Sequence, residues 1–326
     1  MRSLKVSMNL KEVEEIKELL KRFIMKNPNF WKDHYVIEKD PAEIRRNIKS
    51  AVFNSGGEEF ELIYFEKGNK APNILISQGS GGHSFVFAEL GYLMHLRGYN
   101  VFIMPKHGGC TINDLVERHA EATKYVSHNF NDRIGVFSEG LGGFVTFYLA
   151  LANGHFRSAV YQNSPAILTE KKFQEAIIKG RRKLTLPVMK FLFKISPETQ
   201  ISISSYLNWK ALIDTNEANR EIELCLVQEG YLKDPDFDKS YPLSAIMSLL
   251  QTPPPRPLSE LNIPTMFMVA TRGFGGKAYL DYLRELYSRL PSIRKTMIEV
   301  NGSVYWMLSH PREAANIICE WFDETL

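Results

Sequence analysis

Apolar positions along the chain change rhythm several times. From residue 13 to 24 they recur at helical spacing: Val13, Ile16, Leu19, Leu20, Phe23 and Ile24 share one stripe, with Lys and Glu elsewhere. This predicts an N-terminal amphipathic helix that packs on the main body, with docking to a partner or a homodimer as the alternative. Ala51-Val52-Phe53 and residues 58–65 flank the turn signal Asn54-Ser55-Gly56-Gly57, which reads as an antiparallel hairpin. Short apolar runs at 73–77, 100–104, 133–137 and 158–162 then read as strands. Helical segments at 83–96, 112–128 and 140–151 separate them. Strands alternating with helices predict a parallel sheet covered on both faces. In such sheets the carboxyl edge carries the site, and the loops there, Gly79-Ser80-Gly81-Gly82 among them, are glycine-rich.

The rhythm breaks at Ser164-Pro165. Residues 166–255 read as helical without strand alternation and end in Pro253-Pro254-Pro255. It then resumes, with strands at 264–270 and 295–300 and helices at 277–290 and 311–322. The expected organisation is an N-terminal helical extension (1–50), an α/β core (51–164 and 256–326) and an inserted helical cap (165–255).

Composition narrows the function classes. The chain has 326 residues, 44% of them hydrophobic, enough for one large core and too apolar for disorder. Forty basic against 37 acidic residues leave +3, no electrostatic footprint for nucleic acid. The only basic block, Arg181-Arg182-Lys183, is expected on a solvated helix face. Three scattered cysteines, Cys110, Cys225 and Cys319, make neither a disulfide framework nor a zinc site, and point to a reducing, cytoplasmic setting. The first twenty residues lack the apolar core of a signal peptide, and no run reaches the length of a membrane span. Gly79-Ser80-Gly81-Gly82 lacks the Gly-Lys-Ser/Thr ending of a P-loop and the spacing of a dinucleotide fingerprint. No His or carboxylate group has metal-ligand spacing. No cofactor and no metal are therefore expected.

Five motifs in order resemble the α/β-hydrolase superfamily, of the capped serine-hydrolase type. Ile74-Leu75-Ile76-Ser77-Gln78-Gly79-Ser80-Gly81-Gly82 resembles its strand and oxyanion loop. Arg97-Gly98-Tyr99-Asn100-Val101 resembles the entry to the next strand. Residues 132–143, ending Ser138-Glu139-Gly140-Leu141-Gly142-Gly143, resemble the nucleophile elbow. Leu261-Asn262-Ile263-Pro264-Thr265-Met266 resembles the approach to the strand carrying the triad acid. His310-Pro311-Arg312-Glu313, followed by Trp321-Phe322, resembles the final helix. The resemblance covers residues 51–326 and implies a mostly parallel sheet flanked by helices, with a cap inserted after the sixth strand.

The resemblance also implies a Ser-Asp-His triad, and here the sequence departs from it. The elbow motif is G-x-S-x-G. Aligned on Gly142-Gly143, the nucleophile position holds Gly140, which has nothing to attack with. Gly273 stands where the acid belongs. Val304 stands where the histidine belongs, or Tyr305 if the alignment slips by one, and neither is a general base near neutral pH. Asp281, the nearest later acid, falls inside a predicted helix. Fallback candidates are Ser138, if the elbow slides by two, and Glu139, His83 and His107. A Cys110–His107 dyad is a further arrangement to check. Gly79, Ser80, Leu141, Lys106, Tyr305 and Trp306 are candidate ligand contacts. Phe191, Phe193, Tyr206 and Trp209 line the cap side or simply fill its core. His34, His95, His119, His128 and His155 read as surface or packing residues, and His310 as the start of the last helix. The expected function is binding of a small apolar or acyl/carbonyl-bearing molecule between core and cap, without hydrolysis or with a non-hydrolytic transformation. The alternatives are an active esterase, lyase or acyl-transfer enzyme with unusual catalytic residues, or a hydrolase whose triad was substituted. An interaction scaffold using the N-terminal helix is a third reading.

Overall fold

The computed structural model describes residues 29–153, 155–177, 182–205, 212–273, 275–292 and 294–326. The helix expected at 13–24 lies outside them, as do Arg181, Tyr206 and Trp209. Two short helices, α1 (Phe30–His34) and α2 (Pro41–Asn47), lead into the sheet. The Asp40 side chain accepts from the Ala42 N–H and Pro41 opens the helix, so α2 begins where sequence chemistry places it.

Strands β1 (Lys49–Ser55) and β2 (Glu58–Phe65) pair antiparallel around Gly56-Gly57. Both turn residues have positive φ, 57° and 80°, which a two-residue hairpin loop demands and glycine supplies. The alternation that follows gives β3 (Asn73–Ser77), helix α3 (Ala88–Leu96), β4 (Asn100–Ile103) and helix α4 (Ile112–Asn129). Next come β5 (Ile134–Glu139), helix α5 (Gly140–Asn153) and β6 (Ser158–Gln162). The expected helix at 83–96 divides, because His83 instead caps a 3-10 turn over Ser84–Phe87 before α3 begins.

The segment between β6 and β9 contains helices α6 (Lys171–Ile177) and α7 (Arg182–Ile195). It differs from the purely helical expectation by a two-stranded antiparallel ribbon, β7 (Gln200–Ser202) with β8 (Ser240–Pro242). Between the ribbon strands lies α8 (Glu217–Cys225), continuing as one wide turn over Leu226–Tyr231. Helix α9 (Leu243–Gln251) follows. The core resumes with β9 (Thr265–Arg272), α10 (Gly276–Arg289), β10 (Lys295–Ser303), α11 (Trp306–Ser309) and α12 (Pro311–Thr325).

The eight-stranded sheet runs β1-β2-β4-β3-β5-β6-β9-β10, with β2 alone running against the rest. Central strands are buried on both faces. Ile74 and Ile76 of β3 join one hydrophobic cluster while Leu75 joins the other, so the period-2 pleat splits one apolar run between two cores. Phe137 on β5 is wholly buried, and truncating such a side chain to alanine costs about 3–5 kcal/mol. Strand order, covering helices and the break between β6 and β9 together make this the α/β-hydrolase fold. Among the described residues no helix is long and apolar enough to cross a membrane.

Candidate functional site

Parallel strands deliver their last residues to one edge. Ser77, Glu139, Gln162, Arg272 and Ser303 therefore mark the carboxyl ends of β3, β5, β6, β9 and β10. At the centre of that edge the chain turns sharply from β5 into α5. Gly140 has φ +53° there, a conformation that costs an L side chain about 1–2 kcal/mol. A Cβ at Gly140 would meet only the Gly79 Cα, at 3.3 Å, so the elbow tip is open above. The following glycines are fixed by close approach instead. A Cβ on Gly142 would collide with Ser77 and Gln78, and one on Gly143 with the Ser164 side chain. The Gly142 N–H donates to the Gln78 carbonyl at 3.0 Å, tying the elbow to the oxyanion-like loop. The strand-to-helix turn is thus sharp and closely packed on its inner side, with Gly140 at its tip.

Glu139, the last residue of β5, sits beside that tip. Its carboxylate lies against Gly79, where any Cβ would displace it. It keeps some exposure, yet surrounding protein raises its pKa from 4.5 to about 7. Burial is the larger cause, and a hydrogen bond from the Gly79 N–H opposes it. Tyr231 and Tyr305 are close enough to feel its charge. Burial first, and Glu139 next, push both phenols well above their ordinary range, so both stay protonated. The Tyr305 hydroxyl is buried with no hydrogen-bond partner.

The two other positions that the sequence aligns with a triad also lie at this edge. Gly273 follows β9, and a Cβ there would stand 3.5 Å from the Asn163 amide oxygen. Val304 follows β10, almost buried, and its carbonyl accepts from Gln162 Nε2 at 3.2 Å. Trp306 opens α11 just beyond, also nearly buried. Leu141 is 8% exposed in the first turn of α5, where backbone N–H groups lack intrahelical acceptors.

The fallback residues separate. Ser138 is fully buried and accepts a 2.8 Å hydrogen bond from Thr146 of α5, so it points into the packing below the turn. His107 is buried with neither ring nitrogen bonded. Its pKa falls well below the usual range through burial, then His119 and Arg118. No dyad with Cys110 forms, because the Cys110 sulfur takes its hydrogen bond from Arg118 at 2.9 Å. Lys106 pairs with Asp238 at 3.1 Å, and Ser80 remains partly exposed beside Gly79. Phe191 is 63% exposed and Phe193 partly buried, so Phe191 does not line an interior. His119 fills the core, bonded to Ser77 and to the Leu115 carbonyl, and His310 stands at the start of α12.

His83 has a partner that no local motif announced. Its Nε2 lies 2.8 Å from Asp234 Oδ2, which also accepts from the Tyr35 hydroxyl at 2.7 Å. Burial raises the Asp234 pKa, but the hydrogen bond and charge of His83, with Tyr35, outweigh it and hold the carboxylate below its ordinary value. In the neutral imidazole this puts the proton on Nε2, and Nδ1 is buried without a partner. Gln78 Oε1, Gln162 Oε1 and Asn163 Nδ2 are likewise buried and unpaired. Buried polar atoms are rarely unsatisfied, yet four such atoms, on Gln78, Gln162, Asn163 and Tyr305, stand at or just beyond the ends of β3, β6 and β10. Tyr231, Asp234, Gln162 and Asn163 were not foreseen. Two lie in the insertion far along the chain, and the amides carried no motif.

No protein-family model matches the sequence, and no curated protein matches it. Solved structures match through the fold. A monoacylglycerol lipase from Paleococcus ferrophilus is 16% identical with a TM-score of 0.62, covering 82% of this chain and all of its own. A soluble variant of monoglyceride lipase from Saccharomyces cerevisiae, in complex with a substrate analogue, is 15% identical with a TM-score of 0.62, over 85% of this chain and 94% of its own. An epoxide hydrolase from Vigna radiata is 11% identical with a TM-score of 0.54, over 86% of this chain and 99% of its own.

Proposed function

We propose that this α/β-hydrolase-fold protein binds a small carbonyl- or carboxylate-bearing molecule with an apolar body, between the sheet and the cap at 165–255, and does not hydrolyse it through a serine acyl-enzyme. One observation supports the reading above others: a sharp strand-to-helix turn presents Gly140 at its tip while unsatisfied buried hydrogen-bonding atoms gather at the same edge. The ligand oxygen sits at the Leu141 N–H, on the positive end of α5. The unpaired Tyr305 hydroxyl is a further donor for such an oxygen, whereas the Gln162 amide oxygen is an acceptor and calls for an N–H or O–H elsewhere on the ligand. An acyl-bearing ligand is in keeping with the likeness to monoacylglycerol lipases.

A second reading, enzymatic but not hydrolytic, is favoured by Glu139. A carboxyl group with a pKa of about 7 exchanges protons at neutral pH, as a lyase or isomerase base must. The test is labelling with a serine-directed fluorophosphonate and assay with short and long p-nitrophenyl esters. Neither labelling nor turnover is expected, and native mass spectrometry of freshly purified protein should show a co-purifying ligand. Labelling of Ser138 would overturn the proposal. In the complementary experiment, Gly140→Ser, Gly273→Asp and Val304→His together should confer esterase activity that no single change confers.

A further inference from the structure

Eight large apolar side chains are left exposed among the described residues, and half of them sit on α7: Val188, Phe191, Leu192 and Ile195. Their spacing is i, i+3, i+4, i+7, so they form one continuous stripe about 10 Å long. Helix α7 packs on α9, and this stripe remains open to solvent. Lys194, three residues from Phe191, borders the stripe, and Lys190, one turn before it, lies further round on the polar side of the helix. Both are exposed, and neither forms an ion pair among the described residues.

Charge selects what could cover this face. Residues 178–195 carry six basic side chains and no acidic one, while the whole chain carries only +3. A second copy presenting the same face would bring like charges together. The chain's own residues 1–28, with seven basic and four acidic side chains, are also net positive. Nucleic acid would satisfy the lysines and leave Phe191 and Ile195 against a polar surface. An anionic bilayer satisfies stripe and lysines at once, since apolar side chains enter the acyl boundary while lysines stay with the headgroups.

We propose that α7 is an interfacial helix that docks the protein peripherally on an anionic lipid surface, with Val188, Phe191, Leu192 and Ile195 inserted and Lys190 and Lys194 at the headgroup level. This docking is independent of what binds at the elbow.

The test is co-sedimentation of the full chain with phosphatidylcholine vesicles and with vesicles also containing phosphatidylglycerol. Binding is expected to the anionic vesicles and to fall with added salt. Phe191→Ser with Ile195→Ser should abolish it. Lys190→Glu with Lys194→Glu should weaken it by about tenfold or more. Thermal unfolding should be unchanged in both variants, because all four side chains are exposed. Absence of binding, or equal binding to both vesicle types, overturns the proposal. So does concentration-dependent dimerisation that Phe191→Ser removes, which would assign the face to a second copy.

Discussion

Glu139 is a residue whose ionisation works against the fold. Its folded pKa of about 7 exceeds the ordinary 4.5, so the native state holds the proton more tightly than the unfolded chain does. Between those values stability falls as pH rises, and above about pH 7 the penalty is complete. Glu139→Gln keeps the shape and an acceptor for the Gly79 N–H. It should raise stability by about 2 kcal/mol at pH 8, after allowance for partial exposure, and change little at pH 4. Chemical denaturation at the two pH values checks this, and an unchanged pH dependence would show that Glu139 ionises normally. Gly140→Ala should lower stability by about 1 kcal/mol or more through backbone strain and the tight approach of its Cβ to Gly79, read as a lower midpoint with an unchanged m-value. The sequence placed Glu139 beside the tip because the elbow motif counts residues. It could not show the burial that raises the pKa, which arises only once the chain folds around the carboxylate and brings Gly79 against it.

Among elements, the strand ends decide the most. Residues 73–77 and 158–162 were legible to the residue because their apolar runs stop at polar or turn residues. Strands β9 and β10 run on to Arg272 and Ser303, past the apolar stretch, because mutual pairing carries the ladder further than hydrophobicity marks it. The β7/β8 ribbon was illegible for the opposite reason. Three-residue strands show no period, and Ile201 meets Tyr241 only through tertiary folding. The wide turn ending in Tyr231 leads to Asp234, which joins the insertion to α1 and to the oxyanion-like loop. Asp234→Ala leaves the Tyr35 hydroxyl and His83 Nε2 buried and unpaired. The expected loss is about 3 kcal/mol at neutral pH. Because the folded pKa of Asp234 is depressed, its stabilisation is present above pH 3.8 and lost as pH falls. Denaturation curves of the variant should therefore lack this part of the acid limb.

For the whole molecule, the rhythm of strands and helices was enough to predict the layering. The meeting of Asp234 with His83, 151 positions apart, was beyond any local pattern. One consequence of the strand order concerns synthesis. The first six strands form a contiguous block in the sheet, β1-β2-β4-β3-β5-β6, and its open side is β6. The neighbour of β6 is β9, which begins only at Thr265. A ribosome adding about 5–20 residues per second leaves the Ser158–Gln162 edge unpaired for about 5–20 s while the insertion is made. Through that interval the edge of a strand that is buried along its whole length in the finished protein is available to any other nascent chain, so the cost of inserting a long segment at this point is borne by the unfinished protein rather than by the finished one.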